Sequence, residues 1–165
     1  MIWRGKPVPR PSVVLPRIGA SVTEYGLAVV NQFDLQDIPI LNPSFQRARD
    51  KLRSLQILAR NGIPIPPTLM TRDPSGIADA IRRIGGAPVV LKLLQGTQGI
   101  GVMLAESTQT AESVLDTLWS LGQNILIQKF VAESRGKDVR AIVVGGKVVA
   151  AMRRRAKHGE FRSNI

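Results

Sequence analysis

The sequence predicts an α+β fold, and three observations carry that prediction. Between Pro67 and Val131 the pattern reads β-α-β-β-α-β, a small lobe with a hairpin at its centre. Ahead of it, residues 12–15, 22–33 and 38–41 read strand, helix, strand, the pattern of a parallel α/β layer. Behind it, residues 139–144 and 147–152 flank Gly145-Gly146, a strong signal for a type I′ hairpin. The expected division is an N-terminal α/β remnant over 1–44, a small lobe over 45–131 and the start of a second lobe over 132–165. The first strand comes soon after the start, and no partner strands follow the last hairpin, so the chain is expected to be cut at both ends of its fold.

Each element has a local reason. Asn42-Pro43-Ser44 is a turn and helix cap. Phe45, Ala48, Leu52, Leu55 and Leu58 then recur at helical spacing, with Lys51 on the polar side about one turn from Arg47. Asn61-Gly62 ends that helix, and the prolines of residues 63–67 make a stiff extended link to a strand at 68–70. Pro74-Ser75 opens a helix through Ile84, ended by Gly85-Gly86. Thr108 or Thr110 is expected to cap a helix to Leu121, closed by Gly122, with a strand over 125–131 next.

Composition excludes several chemistries. The 165 residues contain no cysteine and one histidine, so there is no disulfide frame, no thiol nucleophile and no Cys/His zinc site. His158 lies in a basic stretch and is a poor member of a Ser-His-Asp triad. A metal here would take oxygen ligands, which favours magnesium. No apolar run approaches a membrane span of roughly 18 residues, and the opening MIWRGKPVPRP is basic but broken by prolines, unlike a signal peptide. A cytoplasmic location is the expectation. The net charge is +11, and the stretch from Arg140 onward carries seven basic residues against one acid, Glu160. Such a surface attracts phosphates, nucleic acid or acidic peptide. Aromatics make up 4% and do not interleave with the basic residues, against a base-stacking platform.

The most informative segment is VVLKLLQGTQGIGV, residues 89–102. Lys92 interrupts an apolar strand, which is costly unless an anion meets it. A loop with Gly96, Gly99 and Gly101 follows, and glycines let backbone N–H groups wrap a phosphate. The spacing matches neither Walker A nor the dinucleotide fingerprint. A hairpin loop beside a snorkelling lysine is the plain alternative.

Residues 48–68 (ARDKLRSLQILARNGIPIPPT), 87–107 (APVVLKLLQGTQGIGVMLAES), 125–156 and 159–164 (GEFRSN) together resemble the ATP-grasp fold, and more narrowly RimK-like α-L-glutamate ligases. Residues 15–33 resemble the end of that family's N-terminal domain. The resemblance implies two lobes with antiparallel sheets clamping ATP. It implies phosphate contacts from Lys51 and Lys92, with Gly96, Thr97, Gln98, Gly99, Ile100 and Gly101 as a lid. Gln128, Lys129 and Phe130 would be the interlobe strand whose backbone meets adenine, and Asp138 a ribose contact. Arg162 would reach the phosphate or acyl-phosphate end and, with Lys92, serve catalysis; Arg140, Arg153 and Asn164 would meet substrate.

The implied reaction is ATP-dependent carboxylate–amine ligation through an acyl phosphate, with Mg2+ or Mn2+. It would add glutamate to an acidic C-terminal peptide of a ribosomal protein or a similar acceptor. Position 129 is Lys where the family often has an acid, and the family's metal ligands are expected beyond Ile165. A homo-oligomeric parent is expected, with no membrane partner and nucleic acid met only through the ribosome. Two other readings stay open: a relative that ligates amino acids to a carrier protein in biosynthesis, and a non-catalytic basic module docking on ribosomes or RNA.

Overall fold

The computed structural model describes residues 1–19, 22–43, 50–94, 101–157 and 160–163, and these fall into two units, Met1–Ser54 and Leu55–Ile165. The first unit begins with a hairpin that the sequence reading lacks. Strands β1 (Ile2–Trp3) and β2 (Lys6–Pro7) pair about Arg4 and Gly5, whose φ angles of 50° and 74° are both left-handed. The Arg-Gly dipeptide between two short extended runs is the local signal.

The expected strand–helix–strand layer of the first unit is present in its parallel sense but shorter. Val14 and Ile40 form a single parallel bridge, with the Val14 N–H donating to the Pro39 carbonyl and the Leu41 N–H to the Val14 carbonyl, both at 2.8 Å. Pro16 and Pro39 have no N–H to extend the ladder. Helix α1 (Thr23–Asp34) lies between, burying Val30, while Ile38 beyond it is buried too. Gly26 lets Ile18 pack on the helix backbone: a Cβ there would lie 2.5 Å from the isoleucine. Helix α2 (Lys51–Arg60) follows, with Asp50 accepting from the Arg53 N–H at 3.0 Å. Gly62, at φ 70°, ends it in the left-handed turn that Asn61-Gly62 foretold.

The second unit is built on a four-stranded antiparallel sheet of order β3-β6-β4-β5, from β3 (Thr68–Leu69), β4 (Val89–Leu93), β5 (Val102–Ala105) and β6 (Ile125–Lys129). Helices α3 (Ile77–Arg83) and α4 (Thr108–Ser120) contribute Ile77, Ile81, Ala111 and Leu115 to one core with Val89, Leu91, Ile125 and Ile127 of the sheet. Alternate residues on a strand face opposite ways, so Val90, Lys92, Leu126 and Gln128 belong to the other face. The helix starts differ from expectation. Asp73 accepts from the Ser75 N–H ahead of a 3₁₀ turn (Pro74–Gly76), and Ser107, not Thr108 or Thr110, caps α4 by accepting from the Thr110 N–H at 3.1 Å. The side-chain oxygen one residue earlier reaches the orphan amide, which is what a cap requires.

Strands β7 (Lys137–Val144) and β8 (Lys147–Arg155) form the last hairpin, longer than expected by two and three residues. Gly145 and Gly146 have φ of 57° and 76°, as a type I′ turn demands. A register shift between Ile142 and Val143 leaves Val149 as an extra residue on β8. No helix of the described residues is long and apolar enough to cross a membrane.

Leu115 sits fully buried on α4, so Leu115→Ala leaves a cavity between helix and sheet. Its expected cost is about 2–5 kcal/mol, read by urea unfolding. Val148→Ala, on the exposed ribbon, should shift stability by less than about 1 kcal/mol.

Candidate functional site

A polar chain crosses the sheet on the face opposite the helices. Lys92, half-buried on β4, donates from Nζ to Gln128 Oε1 at 2.5 Å. Gln128 is 7% exposed and donates from Nε2 to Thr68 Oγ1 at 2.7 Å, and Thr68 donates onward to the Pro66 carbonyl at 2.7 Å. The register makes this possible: Lys92 lies opposite Leu126, while Gln128 lies opposite both Val90 and Thr68. Gln128 thus gives the lysine of an otherwise apolar strand a hydrogen-bond acceptor on this face.

The hairpin beyond Lys92 closes tightly. Leu93 donates its N–H to the Gly101 carbonyl at 2.8 Å. Gly101 has φ 74°, and a Cβ there would lie 2.5 Å from the Leu93 side chain, so glycine is required on both counts. Gly96, Thr97, Gln98, Gly99 and Ile100 lie outside the described residues, as does Asn164.

The interlobe strand divides its work. The Lys129 ammonium turns toward the end of α3 and bonds the Gly85 and Gly86 carbonyls at 2.5 and 3.0 Å, where a cation meets the negative end of the helix. The Lys129 and Phe130 amides donate to the Pro67 and Pro88 carbonyls. What the strand still offers a ligand is carbonyl oxygen, which keeps a second lone pair in a ladder. The strand is also shorter than expected, since it stops at Lys129 and a 3₁₀ turn (Ala132–Ser134) follows. Arg135 lies 6.0 Å over the Phe130 ring.

A second ionic cluster ties the ribbon's base to residues 160–163. Asp138 accepts from Arg154 through Nε at 2.7 Å and through Nη2, and from Ser163 Oγ at 2.5 Å. These bonds, with the arginine's first, hold its carboxyl at about 2. Glu160 accepts from Arg162 Nε and Nη2 at 2.9 and 2.7 Å and from the Phe161 and Arg162 amides, and its carboxyl is likewise held at about 2. Gly136 lies beneath: its N–H donates to the Phe161 carbonyl, and at φ 64° a Cβ would meet the Glu160 carbonyl at 3.1 Å. The sequence reading singled out Asp138 and Arg162 but missed Arg154, Ser163, Glu160 and Gly136 as their partners.

Arg140 and Arg153 do not share a surface of the ribbon. Arg140 pairs with Met152 and Arg153 with Val139, adjacent rungs whose side chains face opposite ways. Arg153 and Arg155 share a face with Lys137, all three exposed, and Arg140 shares one with Asp138 and Arg154. Lys51 opens α2 in the first unit, half-buried, and burial lowers its pKa. Among the described residues no group of three or more His, Asp or Glu side chains is placed to hold a metal ion.

The model of the RimK-like ATP-grasp domain matches residues 48–165, and that of the RimK PreATP-grasp domain matches residues 1–45. The chain belongs to the RimK-like ATP-grasp family. A protein of Marinomonas sp. (strain MWYL1) named "Probable alpha-L-glutamate ligase" is 53% identical to this RimK-like chain over 165 residues, covering 99% of it and 55% of that protein. One of the same name from Rhodopirellula baltica (strain DSM 10527 / NCIMB 13988 / SH1) is 55% identical over 167 residues, covering all of the chain and 41% of that protein. The RimK-like chain thus spans about half the length, or less, of these curated relatives. The crystal structure of a RimK domain ATP-grasp protein from Sphaerobacter thermophilus DSM 20745 superposes with a TM-score of 0.65 at 28% identity, over 92% of this chain and 58% of that one. D-alanyl-alanine synthetase A from Vibrio cholerae O1 biovar eltor str. N16961 shares the fold at a TM-score of 0.60 and 19% identity, over 82% and 43% of the two chains.

Both ionic pairs are acid-sensitive. Asp138 and Glu160 have folded pKa values of about 2, below the roughly 4 of an unfolded carboxylate. Their contribution to stability is therefore complete above about pH 4 and is lost as pH falls through about 2. A chain carrying both Asp138→Asn and Glu160→Gln should show a flatter stability profile across that window, measured by urea unfolding at each pH.

Proposed function

We propose that this chain supplies the ATP-holding residues of an α-L-glutamate ligase, an enzyme that joins a carboxylate to an amine at the expense of ATP. The observation that carries the proposal is Lys92: a lysine on the helix-free face of the sheet, bonded to Gln128, on the strand that leads toward Gly96, Gly99 and Gly101. The matching family and the name of the relatives support it.

In this reading the ATP γ-phosphoryl group activates a carboxylate as an acyl phosphate, and the amine of glutamate attacks it. Phosphoryl transfer asks for positioning and charge neutralisation more than for a protein nucleophile, so the absence of cysteine is no obstacle. Lys92 meets phosphate oxygens, Gly101 closes the hairpin that carries the loop, and the strand ending at Lys129 presents carbonyls to the base. Arg162 reaches a phosphate by exchanging its bonds to Glu160, and Asp138 meets ribose only at the expense of Arg154 or Ser163. A divalent ion accompanies the nucleotide, but no step is assigned to it, because the described residues present no cluster for one. The acceptor is an acidic peptide, such as the C-terminus of a ribosomal protein, met by the exposed Lys137, Arg153 and Arg155 on the face of the ribbon where the register places no acid.

ATP titration by calorimetry, with melting temperature followed in parallel, tests the nucleotide reading. Saturable binding is expected, and Lys92→Ala should weaken it on the order of 10- to 100-fold, the worth of one charge-assisted contact. Equal binding by the variant would remove Lys92 from the site. Glutamate-dependent ADP release with an acidic acceptor peptide tests the ligase reading, and Arg153→Glu with Arg155→Glu should raise the peptide KM while leaving ATP affinity unchanged.

A further inference from the structure

Two loops with few means of holding themselves meet the end of β6. Residues 63–67 contain Pro64, Pro66 and Pro67, and residues 84–88 contain Gly85, Gly86 and Pro88. Proline has no N–H to donate, and glycine has no side chain to pack. The first loop leads into β3 and the second into β4, the two neighbours of β6 in the sheet. Both are held from β6 by their carbonyls. The Lys129 N–H donates to the Pro67 carbonyl at 2.9 Å, and the Phe130 N–H to the Pro88 carbonyl at 3.3 Å. The Lys129 ammonium donates to the Gly85 and Gly86 carbonyls at 2.5 and 3.0 Å. Gly85 and Gly86 are both left-handed, at φ 97° and 73°, and a Cβ on Gly85 would lie 3.5 Å from the lysine Cε, so the stem runs beside that turn. Lys129 therefore ties one loop with its backbone and the other with its side chain.

We infer that the Lys129 side chain is a positioning residue, a clasp that fixes the end of β6 for the nucleotide base without touching the ligand itself. The inference rests on the reading above that the strand ending at Lys129 presents carbonyls to the base. Gln128 lies on the helix-free face, so the pleat sends the next side chain to the helix side, where its bonds to the end of α3 place it. It is thus directed away from the face that carries Lys92. The strand ends at Lys129, and the last rung of a strand is the one that opens most readily. A carbonyl that reads a base must keep its direction, since a hydrogen bond weakens steeply off line. Anchoring the strand end to loops on both of its sides supplies that fixed direction.

The test separates the base end of the ligand from the phosphate end. Lys129→Met keeps the stem beside Gly85 and removes the ammonium. It should weaken ATP on the order of tenfold while changing the affinity for inorganic tripolyphosphate, which has no base, less than about twofold. Leu115→Ala weakens the same unit from its core, far from any bond of Lys129, and should bind ATP like the parent at a temperature below its own melt. The parent 165-residue chain and the two variants are titrated with ATP and with tripolyphosphate, and each is melted to confirm a cooperative fold. Loss of ATP affinity in Lys129→Met, with tripolyphosphate retained and Leu115→Ala parent-like, supports the inference. Parent-like ATP binding by Lys129→Met overturns it, reducing the lysine to a helix cap and leaving the nucleotide reading standing. Equal loss of ATP and tripolyphosphate also overturns it, and so does an equal loss of ATP affinity in Leu115→Ala. Should Lys129→Met fail to melt cooperatively, Lys129→Gln, too short to span both carbonyls, decides by the same criterion. A parent chain that binds ATP no more tightly than tripolyphosphate removes the base reading and this inference with it.

Discussion

A cation in the middle of a β-sheet is the constraint on which the second unit depends. Lys92 cannot face the helices, because that side of the sheet is a continuous apolar core of Val89, Leu91, Ile125, Ile127 and the inward residues of α3 and α4. The strand pleat sends it to the other face. There it needs a polar partner, and the register of β4 against β6 brings Gln128 within reach. The same pleat sends the neighbouring Lys129 back to the helix side, where the carbonyls at the end of α3 take it up. Two consecutive residues of one strand thus serve the two faces: one organises a polar surface, and the other finishes a helix.

The ribbon solves its electrostatics differently. Part of the charge is paired locally, in two bidentate carboxylate–guanidinium pairs at its base. Pairs this open to solvent add little to stability at ordinary ionic strength, but they fix direction. The Asp138 bonds to Arg154 and Ser163, with Gly136 beneath the Glu160 carbonyl, hold residues 160–163 against the start of β7. Of the arginines that the resemblance sends to a ligand, Arg162 is engaged with Glu160, while Arg140 and Arg153 are exposed on the ribbon.

Periodicity and turn chemistry made much of the fold legible. The β-α-β-β-α-β order, the left-handed glycines of Gly145-Gly146 and the stop at Gly62 were all visible in residue types that leave few alternatives. Lys92 was legible because a charge in an apolar strand is anomalous. The polar chain behind it was not, since Gln128 meets Lys92 across 36 residues of sequence and Thr68 meets Gln128 across 60, separations that no local window contains. Prolines misled in the first unit, where Pro16 and Pro39 reduce two expected strands to one bridge. Caps were misplaced by one residue because Ser107 and Thr108 are chemically equivalent candidates and geometry alone decides between them.

The extra residue Val149 has a broader meaning for the ribbon. Counting back from Gly145-Gly146 without it would put Arg153 across from Asp138; the bulge advances the ladder by one and presents Arg154 instead. The run Arg153-Arg154-Arg155 therefore makes the ion pair fault-tolerant: a slip of one residue in either direction still delivers a guanidinium to the carboxylate. Redundancy of this kind lets evolution insert or delete a residue near the turn without unfastening the base. Each slip changes which arginines face outward, so length variation far from any ligand can redraw the outer charge pattern while the internal lock stays shut.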